Sequence, residues 1–161
     1  MNGLRLRYAR AEDARLLWEW ANDPETRRVS FSTGNIPWET HQSWLEQKLN
    51  DPRVRFYIVL GAGGEAVAQV RFEIDGGRAV VSVSVAPSER GKGYGAGALR
   101  LGAQDLWRTS DAHSIDAYIK PENEVSVRAF ANAGYHRRDD CVINGLAAIH
   151  MTLDKPPAWK D

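Results

Sequence analysis

Val80-Val-Ser-Val-Ser-Val-Ala-Pro-Ser-Glu-Arg-Gly-Lys-Gly-Tyr-Gly95 is the stretch on which the reading of this chain turns. An alternating valine/serine strand runs into Pro87, then into a loop with glycines at 91, 93 and 95, then into a helical pattern starting near Ala96. Glycines allow tight turns that expose successive N–H groups, and the following helix start adds its dipole, so the segment is suited to holding phosphate oxygens. Arg90 and Lys92 place positive charge beside those amides. A Walker A loop needs Ser or Thr after Gly-Lys to hold Mg²⁺, and here Gly93 follows Lys92. A dinucleotide fingerprint is formally matched by Gly91, Gly93 and Ala96, but that motif closes the first strand of a parallel sheet, and several strand-like runs precede it here. A plain glycine turn would not call for two flanking cations and a helix start.

Upstream, Leu4–Tyr8 alternates apolar and charged residues as a half-buried strand does. Ala14, Leu17, Trp18 and Ala21 recur at helical spacing within Ala11–Ala21, and Asn22-Asp23-Pro24 ends that helix. Ser30–Pro37 reads as a loop, and a second helix runs from Pro37-Trp38 to about Leu49. Strands are expected near Arg55–Leu60, Ala66–Ile74 and Arg78–Ala86, joined by the turn signals Gly61-Ala-Gly-Gly64 and Asp75-Gly-Gly77. Downstream come a helix to about Trp107, a strand at Ser114–Lys120, a helix at Glu122–Ala133, and strands near Tyr135–Val142 and Leu146–Leu153. This is one mixed α/β domain over residues 1–153, with a tail at 154–161.

A chain of 161 residues suits a single domain, which at this size buries roughly 70% of its unfolded surface. Lys+Arg and Asp+Glu both count 21, so the balanced charge points to neither a nucleic-acid nor an acidic-membrane partner. Cys141 is the only cysteine, and the four histidines lack metal-ligand spacing, so no disulfide or metal is expected. Each histidine reads as a surface or partly buried structural residue. No stretch has membrane-spanning length and the polar N-terminus lacks a signal-peptide core, so a cytoplasmic location is expected.

The strand, Arg-Gly-x-Gly-x-Gly, helix order resembles the pyrophosphate loop of the GCN5-related N-acetyltransferases (GNATs). Asn123-x-x-Ser126-x-x-x-Phe130-x-x-x-Gly134-Tyr135 resembles that family's second cofactor segment, and the two stand in the family's order. The resemblance implies a mixed, largely antiparallel sheet of about seven strands with about four flanking helices. It also implies acetyl-CoA as co-substrate, held by Val83, Val85, Arg90, Gly91, Lys92, Gly93, Tyr94, Gly95, Ala96, Asn123, Ser126 and Phe130. A homodimer is a family-level expectation. Many members carry Tyr where this chain has Phe130, and phenylalanine cannot protonate a departing thiolate.

In this chemistry a neutral amine attacks the thioester carbonyl, and a backbone N–H near the end of the Val80–Ala86 strand stabilises the oxyanion. Tyr118 and Ser84 are the nominated catalytic residues. By resemblance the first two helices and their loop wall the acceptor site. Trp20-Ala-Asn-Asp-Pro-Glu-Thr-Arg27, Ser30-Phe-Ser, Ile36-Pro-Trp-Glu-x-His41-x-x-Trp44 and Gln69-Val-Arg-Phe72 look like the enzymes that acetylate nucleotide-linked 4-amino-sugars in pseudaminic-type pathways. Phe31 or Trp38 could then stack on a sugar or base, Arg27 or Arg71 could pair a diphosphate, and Glu73 ends the neighbouring strand. Trp18 and Trp44 read better as helix-core residues. The competing readings are acetylation of protein N-termini, ribosomal proteins especially, a non-catalytic acyl-CoA-binding module, and, distantly, a NAD-type oxidoreductase.

Overall fold

A computed structural model describes residues 3–157 and Trp159. Its strands are β1 (Arg5–Tyr8), β2 (Val54–Leu60), β3 (Ala66–Asp75), β4 (Arg78–Val85), β5 (Ser114–Ile119), β6 (His136–Arg137), β7 (Cys141–Ile143) and β8 (Leu146–Asp154). The helices are α1 (Ala14–Ala21), α2 (Pro24–Arg28), α3 (Trp38–Asn50), α4 (Tyr94–Thr109) and α5 (Glu124–Asn132). Strand order is β1-β2-β3-β4-β5-β8-β6, with β7 also on β8. Every neighbouring pair is antiparallel except β4 and β5.

Period-two alternation sorts the side chains of β3 and β4 between two covered faces. One face carries Val70, Phe72 and Val81 into a core shared with Leu99 and Leu106 of α4. At Gly102 the helix comes so close that an added Cβ would lie 2.8 Å from the Phe72 ring. The other face carries Phe56 and Ile58, which α1 and α3 cover with Leu17, Trp20 and Leu45. Fully burying side chains of this size stabilises by roughly 1.5–3 kcal/mol each. Register then sets Gln69 opposite Ser84 and Arg71 opposite Ser82 on this second face.

Two boundaries differ from the sequence expectation. Asn22-Asp23-Pro24 ends α1 as read, but it also starts α2, which raises the helix count to five. Asp23 accepts from the Thr26 amide at 3.2 Å and Pro24 occupies the first turn, a strong local helix start. The expected strand Tyr135–Val142 is split in two, which raises the strand count to eight. Arg137 faces Met151 while Cys141 faces Ala148, so four steps on one strand match three on β8. That extra residue is a bulge within the charged run Arg137–Asp140. In the tail, Trp159 is partly buried against the larger core, while Ala158, Lys160 and Asp161 lie outside the described residues.

Candidate active site

Parallel pairing of β4 with β5 covers only Arg78–Val80 against Ser114–Asp116. Beyond Val80 the strands part, and a cavity of about 350 Å³ opens between them. Val81, Val83, Tyr118, Asn123, Ser126 and Phe130 line it, so Val83 meets the second segment in one cleft, whereas Val85 does not line it. Asn123 caps α5, its Oδ1 accepting from the Ser126 amide at 3.2 Å. Phe130 is buried and meets Tyr135 edge-on at 4.9 Å.

The loop before α4, none of whose residues lines this cleft, takes the shape its glycines suggest. Gly91 and Gly93 have φ of 80° and 79°, while Lys92 between them does not share the left-handed conformation. Such alternation turns successive N–H groups toward one side, forming a concave anion site. Among the described residues, no amide of residues 90–96 donates a hydrogen bond to another group of the chain. The two cations are already paired within the protein. Arg90 donates to Asp23 Oδ2 at 2.6 Å and to Thr26 Oγ1 at 3.1 Å, and Lys92 donates to Glu89 at 2.8 Å.

A second cavity, about 570 Å³, adjoins the first and shares Ser30, Ser82 and Val83 with it. Its floor is the second face of the sheet and its walls are α1, α2, α3 and the loop between α2 and α3. Ser84 lines it and accepts a hydrogen bond from Gln69 Nε2 at 2.9 Å. Three polar atoms on this cavity are buried without a hydrogen-bond partner: His41 Nε2, Gln69 Oε1 and Arg71 Nε. Leaving such a group unmade costs about 1–3 kcal/mol, so these residues concentrate polar groups that the chain itself does not satisfy. His41 is 3% exposed, between the Trp38 and Trp44 rings at 6.4 and 5.5 Å. Burial lowers its pKa, against a hydrogen bond to the Ala14 backbone, and the ring is neutral at pH 7.

Arg71 stacks over Trp44 at 4.9 Å and its Nε lies 3.4 Å from Glu73, an ion-pair contact without hydrogen-bond geometry. Burial lowers its pKa, with Glu73 opposing. Glu73 does not line the cavity, because Lys48 takes its carboxylate at 2.5 Å. Burial disfavours the Glu73 charge, but Lys48 and Arg71 outweigh it and leave the pKa lowered. No Asp or Glu lines this cavity, whereas Arg27 and Arg71 both do.

The remaining nominated residues fall in different places. Arg27 spends its donors on the chain itself, reaching Ala21 O at 2.7 Å, Ser32 O at 2.8 Å and Gly34 O at 3.3 Å. It therefore braces the loop that walls the second cavity. Phe31 lines the cleft rather than the second cavity. Trp38 lines neither cavity and packs edge-on against Trp18 at 5.3 Å. Tyr118 stacks on His150 at 4.8 Å, and His150 in turn meets Asp116 at 2.8 Å. Burial, then Asp116 and Cys141, raise the Tyr118 pKa, so its phenol stays protonated at neutral pH. His41 and Gln69 were the residues a reading for roles passed over. The available signal was polarity at core-facing positions: Gln69 alternates with Arg71 on β3, and His41 sits three residues from both Trp38 and Trp44.

Among the described residues, no group of three or more His, Cys, Asp or Glu is placed to hold a metal, and no helix is long and apolar enough to cross a membrane. A family model described as an acetyltransferase (GNAT) domain matches residues 3–136. The aminoglycoside acetyltransferase AAC(6')-Ib, solved with ribostamycin and coenzyme A, superposes with a TM-score of 0.84 at 20% identity, over 95% of this chain and 94% of its own. Spermidine N-acetyltransferase from Vibrio cholerae, solved with CoA and spermine, gives 0.84 at 19% identity, over 96% and 97%. No curated protein matches the sequence.

Proposed function

The chain belongs to the GNAT acetyltransferase family, and we propose that it transfers the acetyl group of acetyl-CoA to the amine of a nucleotide-linked amino-sugar. The observation carrying the acceptor class is the charge of the second cavity: two arginines, a neutral imidazole and the amides of Asn35 and Gln69 line it, and no carboxylate does. An aminoglycoside or a polyamine is a polycation, and it would meet arginines there with no carboxylate on the cavity lining to pair its ammonium groups. A diphosphate would meet the Arg71 guanidinium, and sugar hydroxyls would meet the polar lining that includes Asn35, Thr40 and Ser84.

Acetyl-CoA supplies the activated acyl group, with the cleft for its pantetheine arm and the free amides of residues 90–96 for its pyrophosphate. Val83 stands where cleft and acceptor cavity meet, which sets the site of reaction at the end of β4. Backbone N–H groups of β4 beyond Val80 that point away from β3 have no β5 partner and are available for the oxyanion. Ser84, already accepting from Gln69, orients the incoming amine.

Tyr118 is the one phenol lining the cleft that also holds Phe130, and its raised pKa suits a proton donor rather than a base. We expect Tyr118→Phe to lower kcat about 100-fold. Adding Phe130→Tyr should restore much of that loss by returning a phenol from the opposite wall. Unchanged kcat in Tyr118→Phe would remove Tyr118 from the chemistry.

The direct test of the function is release of CoA thiol with a UDP-linked 4-amino-sugar, spermidine, kanamycin and an N-terminal peptide as acceptors. We expect kcat/KM for the nucleotide sugar to exceed that for spermidine at least about 100-fold, or about 2.7 kcal/mol. Preference for either polycation would overturn the charge argument, and preference for the peptide would move the protein to the N-terminal acetyltransferases.

A further inference from the structure

The short helix α2 touches both cavities. Thr26 and Arg27 line the acceptor side, and Val29 and Phe31, just past its end, line the cleft between β4 and β5. Its own packing is thin: five residues, none of them buried. Two cations from opposite sides of the cleft hold it instead. At its start, Arg90 from the loop between β4 and α4 pairs with the capping Asp23 at 2.6 Å and reaches Thr26 Oγ1 at 3.1 Å. At its end, Lys120, one residue past β5 and only 8% exposed, donates to the Arg28 carbonyl at 3.1 Å. A buried ammonium on a helix C-terminal carbonyl also meets the negative end of the helix dipole.

From this arrangement we infer that α2 is a strap across the mouth of the cofactor cleft, and that Asp23 and Lys120 are positioning residues through which a filled cleft tightens the acceptor wall. The strap bridges two strands that are unpaired beneath it, so anything fixing their separation also fixes both of its anchors. The wall follows through Arg27, whose guanidinium ties α2 to the Ser32 and Gly34 carbonyls. Asp23 is held below the usual carboxylate range, chiefly by Arg90, which keeps the anchor charged at neutral pH. The inference rests on the cleft being the acetyl-CoA site but not on the identity of the acceptor.

Hydrogen exchange of the full chain, with and without CoA, tests it over residues 23–31. In the wild type, CoA should slow exchange of these amides about tenfold. In Asp23→Asn the cap survives, because Asn caps as well as Asp, but the charge is gone. CoA affinity should then be unchanged or tighter, because Arg90 is released, while the slowing over 23–31 is lost. Lys120→Met, which keeps the stem and removes the ammonium, should lose it as well. Binding of CoA with no slowing in the wild type, or full slowing in both variants, would overturn the strap. Failure of CoA to bind at all would overturn the reading of the cleft itself, and the strap with it.

Discussion

Gly93→Val is expected to weaken CoA binding by at least about 100-fold while leaving a folded domain. Gly93 has φ 79° and ψ 11° and immediately precedes α4. An L side chain in that region costs about 1–2 kcal/mol, and a β-branched one has the fewest ways to accommodate it. The strain is relieved only by rotating the peptide units on either side, which turns the amides of Lys92 to Gly95 away from their common direction. Those amides have no other partner in the chain, so their alignment is what the loop offers an anion. Gly76→Val is the control. Gly76 also has positive φ, at 62°, with open space around its missing side chain, and it lies in the hairpin turn at the other end of β4. Both variants should lose similar stability to urea, and only the loop variant should lose CoA in calorimetry. Equal CoA affinity in the two would separate the glycine loop from the cofactor.

Arg71→Gln is expected to raise the acceptor KM between about 10- and 100-fold, with the acetyl-CoA KM unchanged. A hydrogen bond to a charged group contributes about 1.5–3 kcal/mol, and the Arg71 guanidinium is the partly buried cation on the second cavity. Loss of the charge does not strand its partner, because Glu73 keeps Lys48 at 2.5 Å. Some stability should go with the contact of Arg71 on Trp44 at 4.9 Å, about 0.5–2 kcal/mol for a partly buried cation on an aromatic face. Arg71→Lys separates charge from shape. It keeps the cation but loses the planar fork that pairs two phosphate oxygens, so it should recover only part of the acceptor affinity. Steady-state kinetics with the nucleotide amino-sugar reads all three proteins. An unchanged acceptor KM in Arg71→Gln would show that the phosphates bind elsewhere.

The order of strands around the glycine loop was legible because each signal is local. Alternating valines write β4 into a period of two, Pro87 and the glycines stop it, and a helical stripe restarts within a few residues. The pair of hairpins from β2 to β4 was legible for the same reason, and so was the place of Asn123 at a helix start. Where the reading failed locally, one signal served two elements. Asn22-Asp23-Pro24 both ends α1 and starts α2, and stop signals had been given more weight than the cap that follows them. The bulge that splits β6 from β7 depends on pairing with β8, which no window around Arg138 contains.

The sequence by itself therefore determined the family, the glycine loop and the strand that leads into it, since these depend on backbone preferences spanning four or five residues. Tertiary structure alone decided what each polar side chain faces. Arg27 and Arg71 look alike in a sequence, yet one is consumed by carbonyls five to seven residues away and the other is carried by β3 into a cavity. His41 became a cavity residue only when α3 packed over Phe56, and Arg90 met Asp23 only across a sequence separation of 67. The physical reason is range. Steric and hydrogen-bonding preferences act between near neighbours in the chain, whereas the charge and shape of a site are set by which elements hydrophobic burial brings together.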